Sequence, residues 1–108
     1  MEIQYLGTAA AEGWPALFCS CEICKQAREI RGKELRTRTQ AVIDGKLLID
    51  FPPDTYAHAL TNQLELGSIR HLLITHSHMD HFFPVELIHR HEHFGHNAPG
   101  LLHVYGNE

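Results

Sequence analysis

The densest run of chemistry-bearing residues is Thr75-His76-Ser77-His78-Met79-Asp80-His81, where four of seven side chains can ligate a metal ion. The spacing His76-x-His78-x-Asp80-His81 supplies three imidazoles and a carboxylate. Neutral imidazole suits zinc, iron and manganese, and a carboxylate adds the negative charge that hard and borderline ions favour. While the backbone stays extended, side chains at i, i+2 and i+4 point the same way. That alternation predicts that His76, His78 and Asp80 converge, with His81 facing elsewhere until the chain turns. A patch with ligands in two directions suits a pair of neighbouring ions. Two ions roughly 3.5–4 Å apart activate water at neutral pH and stabilise both oxygens of a displacement. The alternative is a polar loop whose histidines bond to backbone, and the ligand density weighs against it.

A second motif is Cys19-Ser20-Cys21-Glu22-Ile23-Cys24, which holds all 3 cysteines of the chain. An odd number crowded into six residues argues against a disulfide framework and for metal thiolates. A structural zinc takes four ligands, so a fourth would have to come from elsewhere. A redox role or inert buried thiols is the other reading.

The elements that must position these residues can be followed along the chain. The apolar run His71-Leu72-Leu73-Ile74 predicts a buried strand, and the septet is then the loop at its C-terminal end, where ligand sites form in layered α/β folds. A first strand is expected over Glu2–Leu6, followed by a small-residue loop from Gly7 to Gly13 that serves as a connector. Trp14 and Phe18 are expected to pack in the core, with the wall of a substrate pocket as the other use. Residues 22–31 favour a helix stopped by Gly32, and its basic residues form a solvated face. Thr39–Ile43 and Lys46–Asp50 read as a hairpin around Asp44-Gly45. A helix is expected from Asp54 to about Leu66 with Gly67 as its stop, and His58 on it reads as a surface or groove residue. Pro84 opens a further helix, whose Val85, Leu87 and Ile88 give a buried stripe. His89 and His93 are four apart on that helix and read as a solvated face rather than a second metal cluster. Leu101–Tyr105 is the last strand expected. Asp50, at a strand end, can accept a hydrogen bond from a metal-bound histidine or cap nearby backbone N–H groups.

Taken together, His76-x-His78-x-Asp80-His81 and the strand ending in Asp50 resemble the signature of the metallo-β-lactamase-fold hydrolases. With Gly7-Thr8-Ala9-Ala10, Gly13, Pro15 and Cys19-x-Cys21-x-x-Cys24, the opening resembles the cyclic-phosphate phosphodiesterase branch of that family. The resemblance implies an α/β fold, the N-terminal half of an αββα sandwich, with residues 1–108 forming the N-terminal portion of one domain and the C-terminal half absent. It implies His76 and His78 at one metal site, Asp80 and His81 at a second, and Asp50 supporting them. Asp80 and Asp50 are the carboxylates it assigns to catalysis. The implied cofactors are two divalent ions, zinc or manganese, with a structural zinc at the cysteines. The implied activity is hydrolysis of a small phosphodiester. Asp50-Phe51-Pro52-Pro53 departs from the family, which usually places small residues after the aspartate. Other readings are a zinc-thiolate or redox-sensing module, an inactive truncated fragment, or a ribonuclease Z-like, lactone or thioester hydrolase.

Composition bounds these readings. The 108 residues are 44% hydrophobic and 20% charged, with mean hydropathy −0.22, as expected of one globular domain. A net charge of −4 argues against bulk electrostatic binding of nucleic acid. The 10 histidines fit a metal protein. No apolar run approaches a membrane span and no basic-then-apolar leader opens the chain, so a cytoplasmic location is expected. A half-sandwich would expose an apolar face, so pairing into a homo-oligomer is also expected.

Overall fold

Two residues with positive φ, Asp44 (51°) and Gly45 (64°), reverse the chain between β2 (Gln40–Ile43) and β3 (Leu47–Ile49). This Asp-Gly signal was legible in the sequence, and the strands pair antiparallel with Ile43 opposite Leu47. The computed structural model describes residues 1–96 and 100–107. Strand β1 (Ile3–Gly7) lies antiparallel against β2. The helix α1 spans Glu22–Ile30, and α2 spans Thr55–Asn62. After α2 the chain returns as β4 (His71–Leu73), parallel to β3, and β5 (His103–Tyr105) is parallel to β4. Among the described residues the strands therefore stand in the order β1-β2-β3-β4-β5. The expected α/β class is borne out.

Registry sorts the strand residues onto two faces. Val42, Leu48 and Leu72 face one side and join Phe51, Ile69 and Ile74 in the core. Leu6, Leu64, Leu66, Phe82, Leu87 and Leu102 pack around that cluster. The opposite face carries Ile3, Tyr5, Ile43, Leu47, Leu73 and Tyr105. There Tyr5 is 73% and Tyr105 47% exposed, so among the described residues this side of the sheet has no covering layer.

Gly7 ends β1 where the pairing with β2 slips, and a Cβ there would lie 2.0 Å from the carbonyl oxygen of Arg38. Only hydrogen at this position lets the two backbones approach. The connector beyond it is pinned to the chain before β2 by backbone bonds such as Ala9 N to Thr37 O (2.8 Å) and Trp14 N to Arg36 O (2.9 Å). Arg38 fastens this region to the start of α2 through a 2.6 Å ion pair with Asp54.

Several local expectations are corrected. Phe18 is 98% exposed instead of buried, and Trp14 is half-buried with its Nε1 donating to Glu34. The helix α2 stops at Asn62, four residues early, because Gln63 takes the left-handed conformation that ends helices. Gly67 then sits in a separate 3₁₀ turn, Leu66–Ser68. Pro84–Arg90 is a 3₁₀ segment with three residues per turn, not an α-helix. Only Leu87 of its apolar residues reaches the core, and Val85 and Ile88 are each 62% exposed. His89 and His93 therefore share no helix face, since that segment ends at Arg90. His58, expected on the surface or in a groove, is buried at 3% exposure. No helix of the described residues is long and apolar enough to cross a membrane.

Candidate metal centre

Parallel pairing of β3 and β4 delivers Asp50 and the histidine motif to the same rim of the sheet. Beyond the strands the two chains remain joined by backbone bonds, Asp50 N to Leu73 O (2.8 Å), Phe51 N to His81 O (2.7 Å) and Phe83 N to Phe51 O (2.7 Å). Asp50 turns the chain with φ 64° and is 1% exposed. Aspartate is among the few residues that visit this left-handed region, because its short polar side chain can bond locally.

The Asp50 carboxylate gathers the site. Its Oδ1 accepts from the backbone N–H of Thr75 (2.8 Å), and its Oδ2 lies 2.6 Å from His81 Nδ1. The Thr75 hydroxyl is 2.9 Å from both carboxylate oxygens. An ionised carboxylate only accepts, so His81 carries its proton on Nδ1 and Thr75 gives its hydroxyl proton to Asp50. The Thr75 oxygen, 3.1 Å from His76 Nδ1, is then left to accept from that ring. Both imidazoles are thus held with protonated Nδ1 and a free lone pair on Nε2.

This arrangement fits a metal. His81 Nε2 and Asp80 Oδ2 are 3.2 Å apart. Two donors each about 2.0–2.2 Å from one ion, about 100° apart around it, have that separation. The His76 ring lies against His81 (centroids 4.0 Å apart) and His78 (4.8 Å). Hydrogen-bonding the non-ligating nitrogen of a histidine to a carboxylate is the usual way to fix its tautomer.

The geometric expectation for the motif is corrected in two respects. His76, His78 and Asp80 are not gathered as a set of three ligand atoms, and His81 turns inward instead of away. Strand β4 ends at Leu73, and His78–His81 close a turn in which His81 N bonds to His78 O (2.9 Å). The alternation of an extended strand has no hold on residues that are not extended. Thr75 was missed, although a hydroxyl beside the first motif histidine is a visible donor. Gln40 was missed too, and His58 was misread. The signal for Gln40 was a polar residue in phase with the core-facing Val42.

Among the described residues, the compact trio of ligand atoms is Cys19, Cys21 and Cys24, whose sulfurs lie within 4.8 Å of one another. Cys21 sits at the residue just before α1, and Cys24 is buried one turn later. The backbone N–H of Cys24, aided by the thiols of Cys19 and Cys24, pulls the Cys21 thiol down to about 7.

No protein-family model matches the chain. An octanoyltransferase of Porphyromonas gingivalis is 32% identical over 83 residues, which are 75% of this chain and 16% of that enzyme. Solved structures also superpose on this chain, among them the following three. A diphosphatase of the PhnP family is 28% identical at TM-score 0.62, covering 80% of this chain and 33% of its own. Zinc-bound PqqB from Methylobacterium extorquens is 27% identical at TM-score 0.69, covering 82% and 33%. The short form of human tRNase Z is 29% identical at TM-score 0.53, covering 77% and 26%. All three have the metallo-β-lactamase fold. The chain spans about a third or less of the length of each of these structures. With its mixed sheet, its H-x-H-x-D-H rim and these neighbours, the chain has the metallo-β-lactamase fold.

Proposed function

We propose that this chain contributes the metal-holding rim of a metal-dependent hydrolase acting on a small phosphodiester, a cyclic phosphate or a related diester. His76 and His78 would hold one divalent ion, and Asp80 and His81 a second, with zinc or manganese as the ions that suit these donors. Bound there, the ions supply Lewis acidity and lower the pKa of water. The chain's own residues supply the preorganisation. Asp50 and Thr75 keep Nδ1 of His81 and His76 protonated, so each Nε2 is free to ligate without reorganisation.

The observation that carries the reading is the line from Asp50 Oδ2 to His81 Nδ1 (2.6 Å) and from His81 Nε2 to Asp80 Oδ2 (3.2 Å). The likeness to a diphosphatase of the PhnP family favours a phosphorus ester over a lactone or thioester. Replacing Asp80 with Ala in the full chain should remove one ion and abolish turnover of bis(p-nitrophenyl) phosphate. Full turnover with two ions retained at the histidines would refute the reading.

A second reading is favoured by the gathered cysteines: a zinc-thiolate or redox-sensing module centred on Cys19, Cys21 and Cys24. Elemental analysis separates the two. Two or three ions per chain support the hydrolase, and a single ion lost on alkylating the cysteines supports the sensor. We place the protein in the cytoplasm with a small-molecule partner.

A further inference from the structure

Behind the candidate metal centre runs a buried polar chain that the hydrolase reading does not use. Gln40 opens β2 on the core face, and Thr55 and His58 lie about one turn apart on α2. Gln40 and Thr55 are 1% exposed and His58 is 3% exposed. Polar groups buried this deeply are costly unless each is bonded. Each of them is: the described residues leave no buried side-chain polar atom without a partner.

The donors and acceptors can be assigned by elimination. The amide Nε2 of Gln40 lies 3.0 Å from the backbone carbonyl of Asp50 and 3.0 Å from Thr55 Oγ1. A carbonyl only accepts, so the Gln40 nitrogen must face Asp50. Thr55 donates to the Pro52 carbonyl (2.7 Å) and therefore accepts from Gln40. Oε1 of Gln40 then faces His58, whose Nδ1 at 2.6 Å must carry the proton. The opposite nitrogen of a neutral ring accepts from the Thr37 hydroxyl. Burial disfavours the charged ring and holds His58 below its ordinary range, in keeping with a neutral imidazole.

The end of this chain is the one residue of the rim with a strained backbone. A non-glycine residue at φ 64° persists only where its surroundings over-determine it, and the Asp50 carbonyl is what Gln40 grips. We propose that Gln40 and His58 are positioning residues for the metal centre: His58 orients the Gln40 amide, which clamps the Asp50 carbonyl and so aims the Asp50 carboxylate at His81 and Thr75. This inference rests on the reading of His76, His78, Asp80 and His81 as metal-holding residues.

The test uses the full chain and two readouts. The first is the proton resonance of His81 Nδ1–H, whose short bond to Asp50 gives a downfield signal with no metal present. The second is competitive zinc titration of the histidine motif. The variants are Gln40→Met, His58→Leu and His58→Asn, the last placing an amide N–H where Nδ1 was. Gln40→Met and His58→Leu should shift or broaden the resonance and weaken zinc binding about tenfold. His58→Asn should restore both. A role confined to packing would instead lower thermal stability with resonance and affinity as in the wild type, and that result overturns the proposal. If His58→Leu does not fold, the close-volume Gln40→Met carries the same expectation. If the wild-type chain takes up no zinc at the histidines, the hydrolase reading fails. The resonance then decides the clamp alone: loss with rescue by Asn supports it, and persistence in Gln40→Met overturns it.

Discussion

Asparagine at position 50 would change one side-chain oxygen to nitrogen and leave shape almost untouched, which isolates the tautomer argument. The carboxylate accepts on both oxygens, from Thr75 N–H at 2.8 Å and from His81 Nδ1 at 2.6 Å. An amide has one acceptor. The Thr75 N–H can only donate, so the Asn oxygen takes that place and its NH₂ faces His81. His81 must then offer a lone pair at Nδ1 and carry its proton on Nε2, the nitrogen beside Asp80. Forcing the metal-ready tautomer sets N–H against N–H at a buried position, costing about 1–3 kcal/mol. At about 1.4 kcal/mol per tenfold, zinc at the Asp80–His81 site should weaken about 5- to 150-fold. The backbone should survive, because Asn also tolerates the left-handed region. The assay is chelator-competition titration alongside long-range nitrogen–proton NMR, which reports the tautomer, with circular dichroism to check the fold. Unchanged zinc affinity, with His81 still protonated on Nδ1, would refute the reasoning.

Further expectations concern other parts of the molecule. Gly7→Ala should cost about 3 kcal/mol or more in urea unfolding, because its Cβ would meet the Arg38 carbonyl at 2.0 Å; a loss under about 1 kcal/mol contradicts this. In metal-free protein, iodoacetamide should alkylate Cys21 half-maximally near pH 7, while Cys24, raised by burial and neighbouring thiols against the lowering effect of the Ala16 backbone, should need a higher pH. Equal profiles for the two thiols would contradict that order. Because burial lowers the His58 pKa, the unfolded chain binds the proton first as pH falls below about 6.5. The stability contributed by neutral His58 is therefore complete above that pH and declines below it, by at most about 1.4 kcal/mol per unit. Acid titration of folding should be shallower for His58→Asn than for the wild type, and parallel curves would count against it.

The histidine-rich rim was legible where residue type alone carried the information. Four ligands in seven positions need no knowledge of neighbours, and Asp44-Gly45 dictates a reversal by backbone sterics. What escaped depended on where strands stop. Leu73 ends β4 three residues before His76, which invalidated the alternation expected for His76, His78 and Asp80. Local propensity does not say whether Pro84–Arg90 winds with three residues per turn or closer to four, yet that choice decides whether Val85 and Ile88 are buried. His58 was misread because its burial comes from Gln40 and Thr37, which lie on other elements and enter only through packing. The phase of Gln40 with Val42 contained the clue, since a polar residue facing a core requires a partner.

The three parallel strands β3, β4 and β5 all release their chains on one margin of the sheet, and Ile74 N still bonds to Tyr105 O there. Gly106, the residue after Tyr105, lies beside Ile74, so the β5 chain leaves the sheet next to the segment that leads into Thr75 and His76. Chemistry on such a margin can be rewritten by exchanging loops, while the hydrophobic layer beneath goes on supporting the fold.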